Sequence, residues 1–413
     1  MRLEPLIARR ISAHTAIPMA GIAVGMVVML LSIAVVRGFK QEVAGKVVGF
    51  VGDVRIISLT QDYDHVVYPV LLDDSLLATI RALPTLEHMQ PFAVKAGMLK
   101  TDDDFLAIQL MGIGDDYDTT FLHRYLVDGS LQPLLPGGEA SSEGEGGGGS
   151  RILLSQRIAS TLRLNVGDRV FAYFLGDERL RARRMEIVGI YETHLAEYDK
   201  VMCFTDLHTV QRLQHWDSLQ FSGIDIRLTP GADRFAAADQ LGIALLTLPD
   251  SIGAKRGAFS AEQLVPHTFA WLDVLDANVV MILILMVLIA AFTIVSGLLV
   301  VMLERVQLIG LLAALGAGGA QLRGIFRRFG LRLVLRAMLL GDAVALALCF
   351  VQMRWHPLSL DAETYYLDAV PVSWSWPLFL LVNAGVLLIS ALVVYLTAHL
   401  MHMKSPATTL RWE

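Results

Sequence analysis

Ala277 to Leu303 is a run of 27 residues without a single charge, and no other feature constrains the fold as strongly. A helix rises 1.5 Å per residue, so about 20 apolar residues cross a ~30 Å hydrocarbon core. Three further segments meet that requirement. Ala16 to Val36 is also uncharged, and Leu333 to Met353 carries only Arg336 and Asp342. Trp376 to Met401 follows Pro-Val-Ser-Trp-Ser-Trp, an approach that reads as an interfacial aromatic belt. With 54% apolar and 18% charged residues, the composition suits a chain partly solvated by lipid.

The first segment is too long for the apolar region of a signal peptide and has no clear small-x-small cleavage site, so it reads as an uncleaved anchor. Lysine and arginine placement sets the orientation. Arg2, Arg9 and Arg10 precede the first span. Arg305, Arg323, Arg327, Arg328 and Arg332 lie between the second and third, against the single acid Glu304, and Lys404 and Arg411 follow the fourth. The loop after the third span is acidic, with Asp361, Glu363 and Asp368. The expected fold class is an α-helical membrane protein with four transmembrane helices plus a mixed α/β extracytoplasmic domain inserted between helices 1 and 2. Its segments are a cytoplasmic 1–15, spans at 16–37, 273–303, 333–353 and 376–401, a periplasmic domain with stalk helices at 38–272, a cytoplasmic coupling segment at 304–332, a short outer loop at 354–375 and a cytoplasmic tail at 402–413.

Segment 38–272 holds 21 Lys/Arg and 31 Asp/Glu, the composition of a soluble domain. Asp53 to Leu59, Phe105 to Met111, Met185 to Tyr191 and Ile224 to Leu228 read as strands. Gln156 to Arg163 and Thr205 to Leu213 read as helices, the latter capped by Thr205 or Asp206. Gly137 to Ser150 is low-complexity and reads as a mobile loop; no Lys-Ser/Thr follows its glycines, so it is no phosphate cradle. Val36, Phe39, Val43, Val47 and Phe50 recur at helical spacing with Lys40, Glu42 and Lys46 between them, which continues the first span's helix beyond the bilayer. Two readings of that extension and of the long second span stay open: a tilted helix with a plain linker, or a pair of rigid stalks.

The chemistry-bearing patterns are few. Cys349 lies in an apolar run and Cys203 in a polar region, which gives no disulfide framework and no Cys/His metal spacing. Asp102-Asp103-Asp104, and Asp115-Asp116 with Asp118, lack EF-hand spacing and read as solvated turns. HExxH and GxSxG are absent, so no catalytic, cofactor-binding or metal-binding residue is assigned, and the chain reads as a non-enzyme. No basic stretch with interleaved aromatics points to nucleic acid. Gly21 and Gly25 form GxxxG, which admits close helix packing either within the chain or against a second membrane chain. Asp342 is an intramembrane carboxylate, which costs roughly 2.5–3.5 kcal/mol at the centre of a span. It reads as satisfied locally, by a hydroxyl or by Arg336, with a polar contact to a partner helix or substrate as the alternative.

Several segments resemble known permeases. GIAVGMVVMLLSIAVVRGFKQEV (21–43) resembles the first span of the FtsX/MacB-type ABC transporter permeases, and ILLSQRIASTLRLNVGDRV (152–170) and MEIVGIYETHLAEYDKVMCFTDLHTVQRL (185–213) resemble their outer domain. VQLIGLLAALGAGGAQLRGIF (306–326) resembles the cytoplasmic coupling segment. LDAETYYLDAVPVSW (360–374) and SPATTLRWE (405–413) are similar to the Lol-type lipoprotein-releasing branch. The chain also departs from the pattern: Gln307 and Leu312 stand where an acid and a base are usual, and Asp342 lies in a span usually uncharged.

The resemblance implies a bacterial inner-membrane permease subunit that releases lipoproteins toward the outer membrane. A MacB-like exporter or an FtsX-like regulator of cell-wall hydrolases is the alternative. It implies no cofactor in this chain, with ATP and Mg bound by a separate cytoplasmic ATPase dimer. Implied partners are that ATPase, a second permease copy or paralogue, lipoprotein cargo, a periplasmic carrier and membrane lipids. ATPase coupling is assigned to Arg305, Val306, Ile309, Leu312, Leu315 and Gly316. There a short helix is followed by a glycine reversal at Gly316-Ala317-Gly318-Gly319.

Overall fold

The computed structural model describes residues 16–59, 68–101, 104–134, 150–175, 180–249, 255–304, 319–361 and 365–400. The chain opens on one long helix, α1 (Ala16–Val51), and then builds an α/β unit. In order this contains β1 (Val54–Ser58), β2 (Val70–Leu71), α2 (Asp74–Arg81), β3 (Leu86–Lys100), β4 (Phe105–Ile113), α3 (Thr120–Arg124), β5 (Leu126–Gly129), β6 (Ser150–Ser155), α4 (Gln156–Leu162), β7 (Arg169–Leu175) and β8 (Leu180–Tyr191). It continues through α5 (Ala196–Asp199), β9 (Met202–Asp206), α6 (Leu207–Gln214), β10 (Gln220–Phe221), β11 (Gly223–Leu228), α7 (Arg234–Leu246), β12 (Arg256–Ser260) and α8 (Ala261–Leu264). Three long helices follow: α9 (Pro266–Glu304), α10 (Gly319–Trp355) and α11 (Trp376–Leu400).

The large sheet has the strand order β12-β1-β11-β3-β4-β9-β6-β8-β5, with β7 pairing β3 and β8, while β10 and β2 form a separate pair. Pairing is antiparallel except for β4 with β9 and β6 with β8. Two apolar cores lie in this unit. One gathers Leu99, Leu110, Ile152, Leu154, Ile158 and Phe174 with other residues of β3 to β9, α4 and α6. The other joins Val54, Ile56, Ile224 and Ile226 of β1 and β11 to Leu76 and Ile80 of α2 and Leu241 of α7. Helix starts follow the sequence. Asp73, Ser155, Asp206 and Asp233 each accept a backbone N–H in the first turn, and Ser260 makes a reciprocal capping box with Gln263.

All four strand expectations and both helix expectations fall on observed elements, and the cap of α6 is Asp206. Cys203 differs from its surroundings in sequence: it is fully buried on β9, and burial pushes its thiol well above the ordinary range.

Among the described residues, four helices are long and apolar enough to cross a membrane. With 36 and 39 residues, α1 and α9 would be about 54 and 58 Å long, well beyond a ~30 Å core. Ile22, Met26, Met29 and Leu30 of α1, Ile294 of α9, Phe329, Val334 and Ala337 of α10, and Val382 and Val386 of α11 share one apolar cluster. The third span, expected at 333–353, lies within one longer continuous helix, α10, whose first residue is Gly319.

By contacts the chain divides into a helical unit, comprising Met1–Glu42, Ala270–Leu360 and Asp368–Glu413, and the α/β unit, Val43–Phe269 with Asp361–Leu367. The contact boundaries of this unit, 43 and 269, fall inside α1 and α9, beside the 38–272 expected for the outer domain. A piece of the loop between α10 and α11 is added to it. Residues 137–149, Asp102 and Asp103 lie outside the described residues.

Candidate functional site

The last turn of α1 is built into the α/β core. Val43, Val47, Phe50 and Val51 are buried, and the Phe50 ring stacks on Tyr198 with centroids 4.4 Å apart. Phe121 meets the same ring edge-on at 5.1 Å, with Tyr191 and Phe204 at 6.4 and 6.3 Å. Gly49 makes room for this: a Cβ there would sit 2.1 Å from the Phe121 ring. Gly52, at φ +70°, then turns the chain out of the helix into β1.

Arg55 closes the junction. It donates to the Phe50 carbonyl at 2.8 Å and to both oxygens of buried Asp225 at 2.6 and 2.9 Å, with its guanidinium 4.2 Å from the centre of the Phe92 ring. One carbonyl left over at the end of α1 thereby gains a charged donor, and a bidentate pair fixes β1 to β11. A second arginine, Arg234, donates to Asp53 at 2.7 Å and to Glu262 at 2.9 Å. It ties the residue just after α1 to the short helix just before α9. β1 and β12 are also antiparallel neighbours, with Val54 opposite Ser260. The exit from α1 and the approach to α9 therefore form one hydrogen-bonded block.

Within the helical unit, Lys40 of α1 donates to Asp273 and Asp276 of α9 at 2.9 and 2.6 Å, and Phe39 meets Trp271 edge-on at 5.6 Å. The lysine is one-third exposed and the acids more so, so each ion pair is worth at most about 1 kcal/mol. What it fixes is which faces meet.

Of the predicted packing glycines, Gly21 faces α9, where a Cβ would lie 3.0 Å from Thr293; nothing lies within 4 Å of a Cβ at Gly25. Tighter approaches in this unit occur at three glycines not singled out in the sequence. A Cβ at Gly297 would be 2.6 Å from Pro18, one at Gly341 2.6 Å from Met26, and one at Gly38 2.6 Å from the Pro371 carbonyl. An isolated glycine inside a helical pattern was the available signal. Asp342 takes a hydrogen bond from the Asn383 amide of α11 at 3.3 Å, so its partner is an amide rather than a hydroxyl or Arg336. The coupling residues Arg305, Val306, Ile309, Leu312, Leu315 and Gly316 lie outside the described residues.

Four described helices long and apolar enough to cross a membrane, together with a mixed α/β unit, define a membrane protein. The chain belongs to the family of the MacB-like periplasmic core domain, which matches residues 15–243. It is similar to the lipoprotein-releasing system transmembrane protein LolC of Xylella fastidiosa, 20% identical over 95% of this chain and 92% of that one. It is also similar to LolE of Haemophilus influenzae, 22% identical over 92% of this chain and 88% of that one. Among solved structures it resembles the periplasmic region of MacB from Actinobacillus actinomycetemcomitans, 14% identical over 54% of this chain and 94% of that one, with a TM-score of 0.35.

Proposed function

We propose that the chain is the permease subunit of an ABC transporter that releases lipoproteins from the bacterial inner membrane, with its α/β unit in the periplasm. The observation that carries this reading is similarity to lipoprotein-releasing transmembrane proteins over more than nine-tenths of the chain, in a molecule that has long apolar helices and an α/β unit. A separate cytoplasmic ATPase pushes on 304–332, and α1 and α9 carry the displacement outward. The aromatic cage around Phe50 and the Arg55 and Arg234 ties pass it to the sheet. Extracting acyl chains costs about 0.8 kcal/mol per CH₂, which accounts for a need for ATP.

A MacB-like exporter of periplasmic substrates is the second reading, favoured by the family match itself. Depletion followed by membrane fractionation separates the two. Lipoprotein release predicts that mature lipoproteins accumulate in the inner membrane; normal outer-membrane levels, in cells lacking a paralogue, favour export instead.

A further inference from the structure

Lys46 stands among the polar positions of the α1 repeat, yet it is only 4% exposed. Its ammonium donates to the Thr193 carbonyl at 2.6 Å and to the Tyr366 carbonyl at 2.7 Å, and lies 5.2 Å from the centre of the Tyr125 ring. Thr193 is itself fixed, since its N–H and hydroxyl both donate to buried Asp199, at 3.1 and 2.7 Å. Tyr366 belongs to the loop between α10 and α11 and has φ +63°, a left-handed conformation that a tyrosine keeps only where its surroundings hold it. Leu367 beside it is buried. At the base of the loop, Leu360 donates to Asp368 at 2.9 Å and Val370 to Leu358 at 3.1 Å. The segment Asp361–Leu367 is counted with the α/β unit although both its flanks belong to the helical one.

We propose that Lys46 is a positioning residue that straps Tyr365–Leu367 to the rest of the α/β unit. Resting on the permease reading above, we assign the strap a role in release. Both of these acceptors are main-chain carbonyls, reached by a long cationic donor at position 46. Charged donors make the stronger hydrogen bonds, and removing the donor takes a charged hydrogen bond from each of the Thr193 and Tyr366 carbonyls.

Hydrogen exchange on the full chain in nanodiscs tests the strap. In Lys46→Met, amides of 365–370 should exchange about tenfold faster or more while β6 and β8 keep their protection. Lys46→Gln, with a shorter neutral donor, should fall between it and wild type. Unchanged exchange at 365–370 overturns the strap. So does loss of protection across β6 and β8 in both variants, which would make Lys46 a support of the whole domain. Reconstitution with the ATPase tests the role: Lys46→Met should hydrolyse ATP but release lipoprotein about tenfold more slowly. Faster exchange with wild-type release overturns the role. If wild type itself releases no lipoprotein, the permease reading fails while the exchange result still stands.

Discussion

Asp342 and Arg55 show how differently two charged residues can be legible. An acid within an apolar run announces itself, and its partner type follows from the cost of leaving it alone in lipid. Asn383 supplies one hydrogen bond through an amide that also donates to Phe379. Asparagine at 342 keeps an acceptor for that amide without the charge, so Asp342→Asn should insert and complement a depletion strain fully. A stably inserted but inactive variant would show that the charge itself is used. Arg55 gave no comparable signal. Its value depends on Asp225, 170 residues away in sequence, and on a helix end that no local pattern marks as buried. Lys46 is concealed in the same way: the period of α1 assigns it to solvent, and the remainder of the fold covers it.

Elements with a clean alternation or a cap are legible in the amino-acid sequence alone, as β1, β4, β11 and α6 show. The 15-residue strand β3 is not, because Pro91 removes a ladder donor midway and its neighbours β11 and β4 lie on both sides. Helix packing is half legible: glycines are visible, but which of them face a neighbour depends on rotation about the axis. This gives an ordered series. Gly297→Ala drives a Cβ to 2.6 Å from Pro18, Gly21→Ala to 3.0 Å from Thr293, and Gly25→Ala into open space. Thermal unfolding in detergent should rank their costs in that order, with Gly297→Ala losing about 1–3 kcal/mol and Gly25→Ala close to wild type. A Gly25→Ala variant that unfolds normally but loses self-association would place that face against a second copy. For the coupling segment, Leu312→Asp sets a charge among the residues assigned to ATPase coupling, at a cost of a few kcal/mol if it is buried there unpaired. The variant should insert normally and lose ATPase co-purification; full retention of binding and release would overturn the coupling role of Leu312.

At the scale of the whole molecule, the order of long helices and domain is legible because hydropathy acts over about 20 residues and is indifferent to tertiary detail. The membership of Asp361–Leu367 in the α/β unit is not, since it arises from contacts between residues 320 apart. The adjacency of β1 and β12 is equally hidden, and it bears on ancestry. A domain whose first and last strands are neighbours begins and ends within about 5 Å of itself, so its removal or replacement leaves only a small gap to close. Such a unit can be exchanged between proteins as a cassette, keeping one membrane chassis while the module it carries diverges toward new clients.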